Sequence, residues 1–64
     1  MNNTMMQKET YKALQKIIKK ERTIKGLNTL EERIVRHYNA YTLNEKQLAR
    51  LDGLILENRI KLEN

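Results

Sequence analysis

His37 is the single histidine of the 64-residue sequence, and its imidazole is the side chain best suited to move protons near neutral pH. Proton transfer alone makes no catalytic site, because a base must face a nucleophile and be oriented by a third group. The chain contains neither serine nor cysteine, so Ser-His and Cys-His acyl-transfer arrangements are excluded. No carboxylate stands three or four residues before His37 on the same helical face. One histidine among scattered carboxylates is also a poor ligand set for a transition metal. Glu31 and Glu32 are adjacent, point about 100° apart on a helix and cannot converge on one substrate atom. Their expected place is the first turn of the second helix, where carboxylates suit the positive end of the helix dipole. Gly26 and Gly53 stand alone, which rules out phosphate loops and dinucleotide fingerprints. Asn2-Asn3-Thr4 fits a glycosylation acceptor only by pattern. The expectation is a protein with no catalytic residues, no metal and no cofactor.

What remains is charge. Thirteen Lys and Arg face eight Asp and Glu, a formal net charge of +5. Residues 1–25 hold seven of the basic residues and two of the acids, while the rest of the chain balances six against six. Lys8, Lys12, Lys16, Lys19 and Lys20 recur at nearly helical spacing, so one helix face presents point charges along about 15 Å. Such a stripe can neutralise several phosphates of a nucleic acid, meet an acidic partner, or serve only as a solvated face. Tyr38 and Tyr41 flank a loop and could stack on unpaired bases. Without interleaved basic residues, a core or lid role is the expected one for both.

These residues need helices to position them. There is no proline, and Lys, Glu, Leu, Ile and Gln are abundant. A first helix is predicted over about 4–25, opened by a Thr4…Gln7 capping box and closed by Gly26, with Tyr11, Leu14, Ile17, Ile18 and Ile24 on its apolar arc. A second over 29–39 is capped by Asn28 and carries Leu30, Ile34, Val35 and Tyr38. A third over 43–62 opens with a Thr42…Glu45 box. Its Leu48, Leu51, Leu54, Ile55 and Leu62 share one arc, and Ala49, Leu56 and Ile60 share a roughly opposite one. Asp52-Gly53 could break this helix, but the periodicity runs through it. The expected fold is therefore all-α: a single domain forming a small three-helix bundle, or a long helical hairpin crossed by a basic amphipathic helix.

One apolar face suffices for a monomer, so the second arc on helix three predicts a partner, with Leu56 and Ile60 in the interface and a homodimer as one form of it. A helix-turn-helix reading fits poorly, since helix three is apolar and nearly charge-neutral whereas a recognition helix offers polar groups to base edges. No apolar run approaches the length of a membrane span and no signal-peptide pattern is present, so the expected setting is the cytoplasm, without membrane contact.

Three short segments, Thr29-Leu30-Glu31, then Tyr41-Thr42-Leu43-Asn44-Glu45-Lys46-Gln47-Leu48-Ala49, then Glu57-Asn58-Arg59, resemble the Hha/YmoA/Cnu family of small helical nucleoid-associated modulators. The family shows a Ser/Thr-Leu-Glu helix start, a Tyr-x-Leu-Ser/Thr-Asp opening of the next helix and an Asp-His-Arg segment along it. Arg50, Leu51 and Asp52 stand where that family has aromatic residues. The resemblance implies action without catalysis, by docking acidic residues onto the dimerisation domain of the silencer H-NS; the matching acids here are Glu31 and Glu57.

Taken together, the residues predict a non-enzymatic regulatory adaptor that binds a protein partner, a nucleoid or transcription component, with the lysine face adding contact to nucleic acid. The alternatives are direct, sequence-nonspecific nucleic-acid binding and a phage-type inhibitor of a host protein.

Overall fold

The computed structural model describes residues 3–63. Three helices follow one another: α1, Asn3–Lys20; α2, Ile24–Asn39; and α3, Glu45–Glu63. Among the described residues there is no strand, and the fold is a small all-α three-helix bundle. The helices run up, down and up. Gln7 near the start of α1 donates to the Tyr41 carbonyl beyond the end of α2, at 3.1 Å, and Asn58 late in α3 reaches the end of α1.

The core is entirely aliphatic. Leu14 and Ile18 of α1, Leu27, Leu30 and Ile34 of α2, Leu51 and Ile55 of α3, and Leu43 from the second connector are buried, with Tyr11, Leu48, Leu54 and Leu62 packed around them. No polar or charged residue is buried among the described residues. α3 packs against both other helices, whereas α1 and α2 touch each other little. Each helix contributes residues three or four apart, the spacing that keeps one face inward.

The first connector falls earlier than the sequence pattern predicts. α1 stops at Lys20 rather than Lys25, and α2 opens at Ile24 rather than 29, so Ile24 and Gly26 belong to the second helix and Asn28 lies inside it. Thr23 is the N-cap: its backbone is extended and its Oγ1 accepts from the Gly26 amide at 2.9 Å. Gly26 does not terminate a helix and has no positive φ. A Cβ there would displace the Glu21 carboxylate, the flexible end of that side chain, from its present place. That carboxylate accepts from the Arg22 and Thr23 amides and from Thr23 Oγ1, next to the positive end of α2.

Chiefly the Thr23 hydroxyl, with the Thr23 and Arg22 amides, holds the Glu21 carboxyl below its ordinary value of 4.5. The stabilisation is present above the unfolded pKa and is lost as pH falls through the lowered folded value. Glu21→Gln is therefore expected to flatten the acid limb of the stability profile. Thermal melts as steep in pH for the variant as for the native chain would refute this.

The end of α1 is closed by a side chain from far along the sequence. Asn58 Nδ2 donates to the carbonyls of Ile18 at 2.8 Å and Glu21 at 3.1 Å, groups that a helix end leaves unpaired. Asn58→Ala is expected to cost about 1–2 kcal/mol, lowering the melting temperature by roughly 5–10 °C. An unchanged melt by circular dichroism would contradict that role.

The second connector also shifts. α3 begins at Glu45, two residues later than predicted, because the reciprocal box joins Asn44 and Gln47 rather than Thr42 and Glu45: the Gln47 amide donates to Asn44 Oδ1 at 2.8 Å, and the Asn44 amide to Gln47 Oε1 at 3.0 Å. Leu43 is thereby freed from the helix and plugs the core. α3 is continuous across Asp52-Gly53, as the periodicity predicts. Thr4 lies within α1, which starts at Asn3, and its predicted box partner Gln7 is bonded to Tyr41 instead.

Candidate functional surfaces

Two exposed faces of opposite character stand out. The first belongs to α1, where Lys8, Lys12, Lys16, Lys19 and Lys20 are all exposed, on arcs away from Leu14 and Ile18. They span about 18 Å of helix. The ion pair found among the described residues, Arg59 Nη2 to Glu31 Oε1 at 3.5 Å, involves none of them. Lys19 reaches the side of α3, where it lines a shallow groove with Ile18, Leu54, Glu57, Asn58 and Lys61.

The second face is the outside of α3. Leu56 is 56% and Ile60 53% exposed, Ala49 is exposed beside them, and a Cβ at Gly53 would meet nothing within 4 Å. These four positions share one strip, pointing away from Leu51 and Ile55. Met6, Ala13 and Ile17 form a lesser apolar strip on α1. Ile17 and Val35, expected inside, are 41% and 45% exposed, because the core faces of their helices are narrower than the apolar patterns.

The two acids singled out in the sequence separate in role. Glu31 lies in the second turn of α2 or beyond, not in its first, and Arg59 of α3 ties it to Asn28, donating to Asn28 Oδ1 at 2.6 Å. Glu57 is exposed on the groove wall. Glu32 is exposed on α2.

His37 is half-buried near the end of α2. Thr42 Oγ1 donates to the His37 carbonyl at 2.9 Å, so the 2.8 Å contact with His37 Nδ1 requires the proton on that nitrogen. Imidazole and hydroxyl together brace the turn. Among the described residues, no cluster of three or more His, Asp and Glu could hold a metal.

Tyr38 and Tyr41 are not core residues. They are 38% and 76% exposed and line an open groove with Gln7, Asn39, Leu43 and Asn44. Tyr41 has φ 63°, the left-handed region, and terminates α2: its amide donates to the Tyr38 carbonyl at 3.1 Å and the Thr42 amide to the His37 carbonyl at 2.9 Å. This is the double bond pattern that glycine usually closes. Tyr41→Gly is expected to stabilise the fold by about 0.5–1 kcal/mol, the relief of left-handed strain exceeding the added chain entropy. A lower melting temperature for the variant would show that the tyrosine ring contributes more than its backbone costs.

The arrangement defines a small helical bundle whose accessible features are surfaces rather than an enclosed site. No family model matches the chain, and neither a curated protein nor a solved structure does. Among the described residues no helix is long and apolar enough to cross a membrane.

Proposed function

We propose that this protein is a non-enzymatic regulatory adaptor of the cytoplasm. The outer strip of α3, with Leu56 and Ile60 at its centre, docks a protein partner, a nucleoid or transcription component, while the lysine face of α1 adds contact to nucleic acid. The observation carrying this reading is the pair of uncovered faces, one apolar and one basic, on two helices bound into one bundle. A fold this small has little reason to leave Leu56 and Ile60 in water unless something covers them. The test replaces both by glutamine and compares proteins retained from extract with and without nuclease. If the variant keeps every self- and partner interaction of the native chain, the reading is wrong.

A second reading takes nucleic-acid binding as the main activity, favoured by the exposed lysine stripe, which takes no part in the ion pair found among the described residues. It requires binding to duplex or single-stranded nucleic acid that weakens steeply with salt. No binding at low salt would eliminate it.

A further inference from the structure

We propose that the outer strip of α3 is covered by a second copy of this chain, its α3 running antiparallel, and that the pairing gathers the lysine faces of both copies on one side of the dimer. The inference rests on reading the strip as a protein-docking surface and names its occupant.

The strip positions 49, 53, 56 and 60 are separated by four, three and four residues, the alternation of a coiled-coil seam. Lys46 and Glu63 extend the same seam by one step at each end. Ala49 and Gly53 are small, and Leu56 and Ile60 are large. A parallel pair would set Leu56 against Leu56 and leave Gly53 facing Gly53 across a void. An antiparallel pair with its two-fold axis between Gly53 and Leu56 does the reverse, setting Ala49 opposite Ile60 of the second copy and Gly53 opposite Leu56, large against small in every apolar layer. Gly53 presents open space for that insertion.

The same register aligns the charges. It puts Lys46 opposite Glu63 in the outermost layers. On one flank, where antiparallel helices pair like positions with each other, exposed Arg50 meets exposed Glu57, while Arg59 on the other flank stays with Glu31 and Asn28 of its own chain. Four pairings, two of size and two of charge, are satisfied by one choice of axis. In a parallel pair Lys46 and Glu63 would each face their own kind. Gly53, on the exposed side of a continuous helix and costly for helix stability, gains a reason: it receives Leu56.

The flank that carries Arg50 and Glu57 is also the flank against which α1 packs, since Glu57 and Lys61 share a groove with Lys19. The two-fold axis of an antiparallel pair brings this flank of both copies to the same side. Both α1 helices therefore border that side, and the monomer's lysine stripe becomes half of a two-helix basic surface.

The natural absence of cysteine makes the test direct. Ala49→Cys and Ile60→Cys chains are prepared separately and oxidised alone and mixed, with folding checked by circular dichroism. The expected result is a disulfide-linked dimer in the mixture and in neither chain alone, because residue 49 of each copy lies beside residue 60 of the other. Dimers in each single variant alone would mean a parallel seam and overturn the proposal, as would no cross-linking together with a monomeric mass by sedimentation. Sedimentation of Arg50→Glu should show a dissociation constant raised at least about tenfold, restored when Glu57→Arg is added. No rescue would also overturn the register. The native chain sedimenting as a monomer that still loses a protein partner on Leu56→Gln would end this inference but not the adaptor reading. A cross-linked dimer that binds no nucleic acid or other protein would end the adaptor reading while leaving the dimer intact.

Discussion

Truncating Ile55 to alanine is expected to leave the chain largely unfolded at room temperature. Ile55 is fully buried on the helix that packs most against both others, and eight aliphatic side chains make up the buried core among the described residues. Removing its outer carbons forfeits their burial and leaves a cavity that neighbouring helices fill only in part, a loss of about 2–5 kcal/mol. A 64-residue domain has roughly 3–10 kcal/mol to lose, and small domains sit near the lower end. Val35→Ala on the exposed side of α2 serves as the control and should melt within a few degrees of the native chain. Cooperative melting of Ile55→Ala near the native temperature would mean that the packing described here is not what holds the protein together.

The second large effect concerns the lysine face. If the proposed contact of α1 with nucleic acid holds, replacing Lys8, Lys12, Lys16 and Lys19 by glutamine is expected to abolish the salt-sensitive part of that binding without disturbing the fold, because all four side chains are exposed. If each neutralises one phosphate, the slope of log K against log salt in the native chain is about −3.6 per copy, or a loss of roughly 100-fold between about 50 and 200 mM salt. Each single replacement should reduce the slope by about 1 and act alike on all sequences. Titrations of a labelled duplex at several salt concentrations measure this. A slope unchanged in the four-lysine variant would remove α1 from the binding surface and shift attention to the tyrosine groove at Tyr38 and Tyr41.

Periodicity within one helix was readable in the sequence, and what depends on one helix came through. The all-α class, the lysine stripe of α1, the unbroken α3 and its outward arc of Ala49, Leu56 and Ile60 all follow from spacing alone. The connectors did not, since their geometry is decided by contacts between distant residues. Gly26 reads as a helix end by type, yet it lies inside α2 beside the Glu21 carboxylate, and α1 stops where Asn58, some forty residues later, supplies its closing bonds. Thr42 reads as a cap and is engaged with His37, leaving Asn44 to open α3. Apolar type also overstates burial: Ile17, Val35 and Tyr38 fit the pattern but lie beyond the reach of a neighbouring helix in a bundle with so few layers.

Because α1 and α2 share so little surface with each other and both lean on α3, they have almost nothing to fold against without it. Isolated helices of 18 and 16 residues are marginal in water. Without α3 the first two helices are therefore expected to stay open and fluctuating, and the bundle to form only with all three in place. Loss of α3 is expected to unfold α1 as well, so the lysine face exists as a shaped surface only while α3 holds it in place.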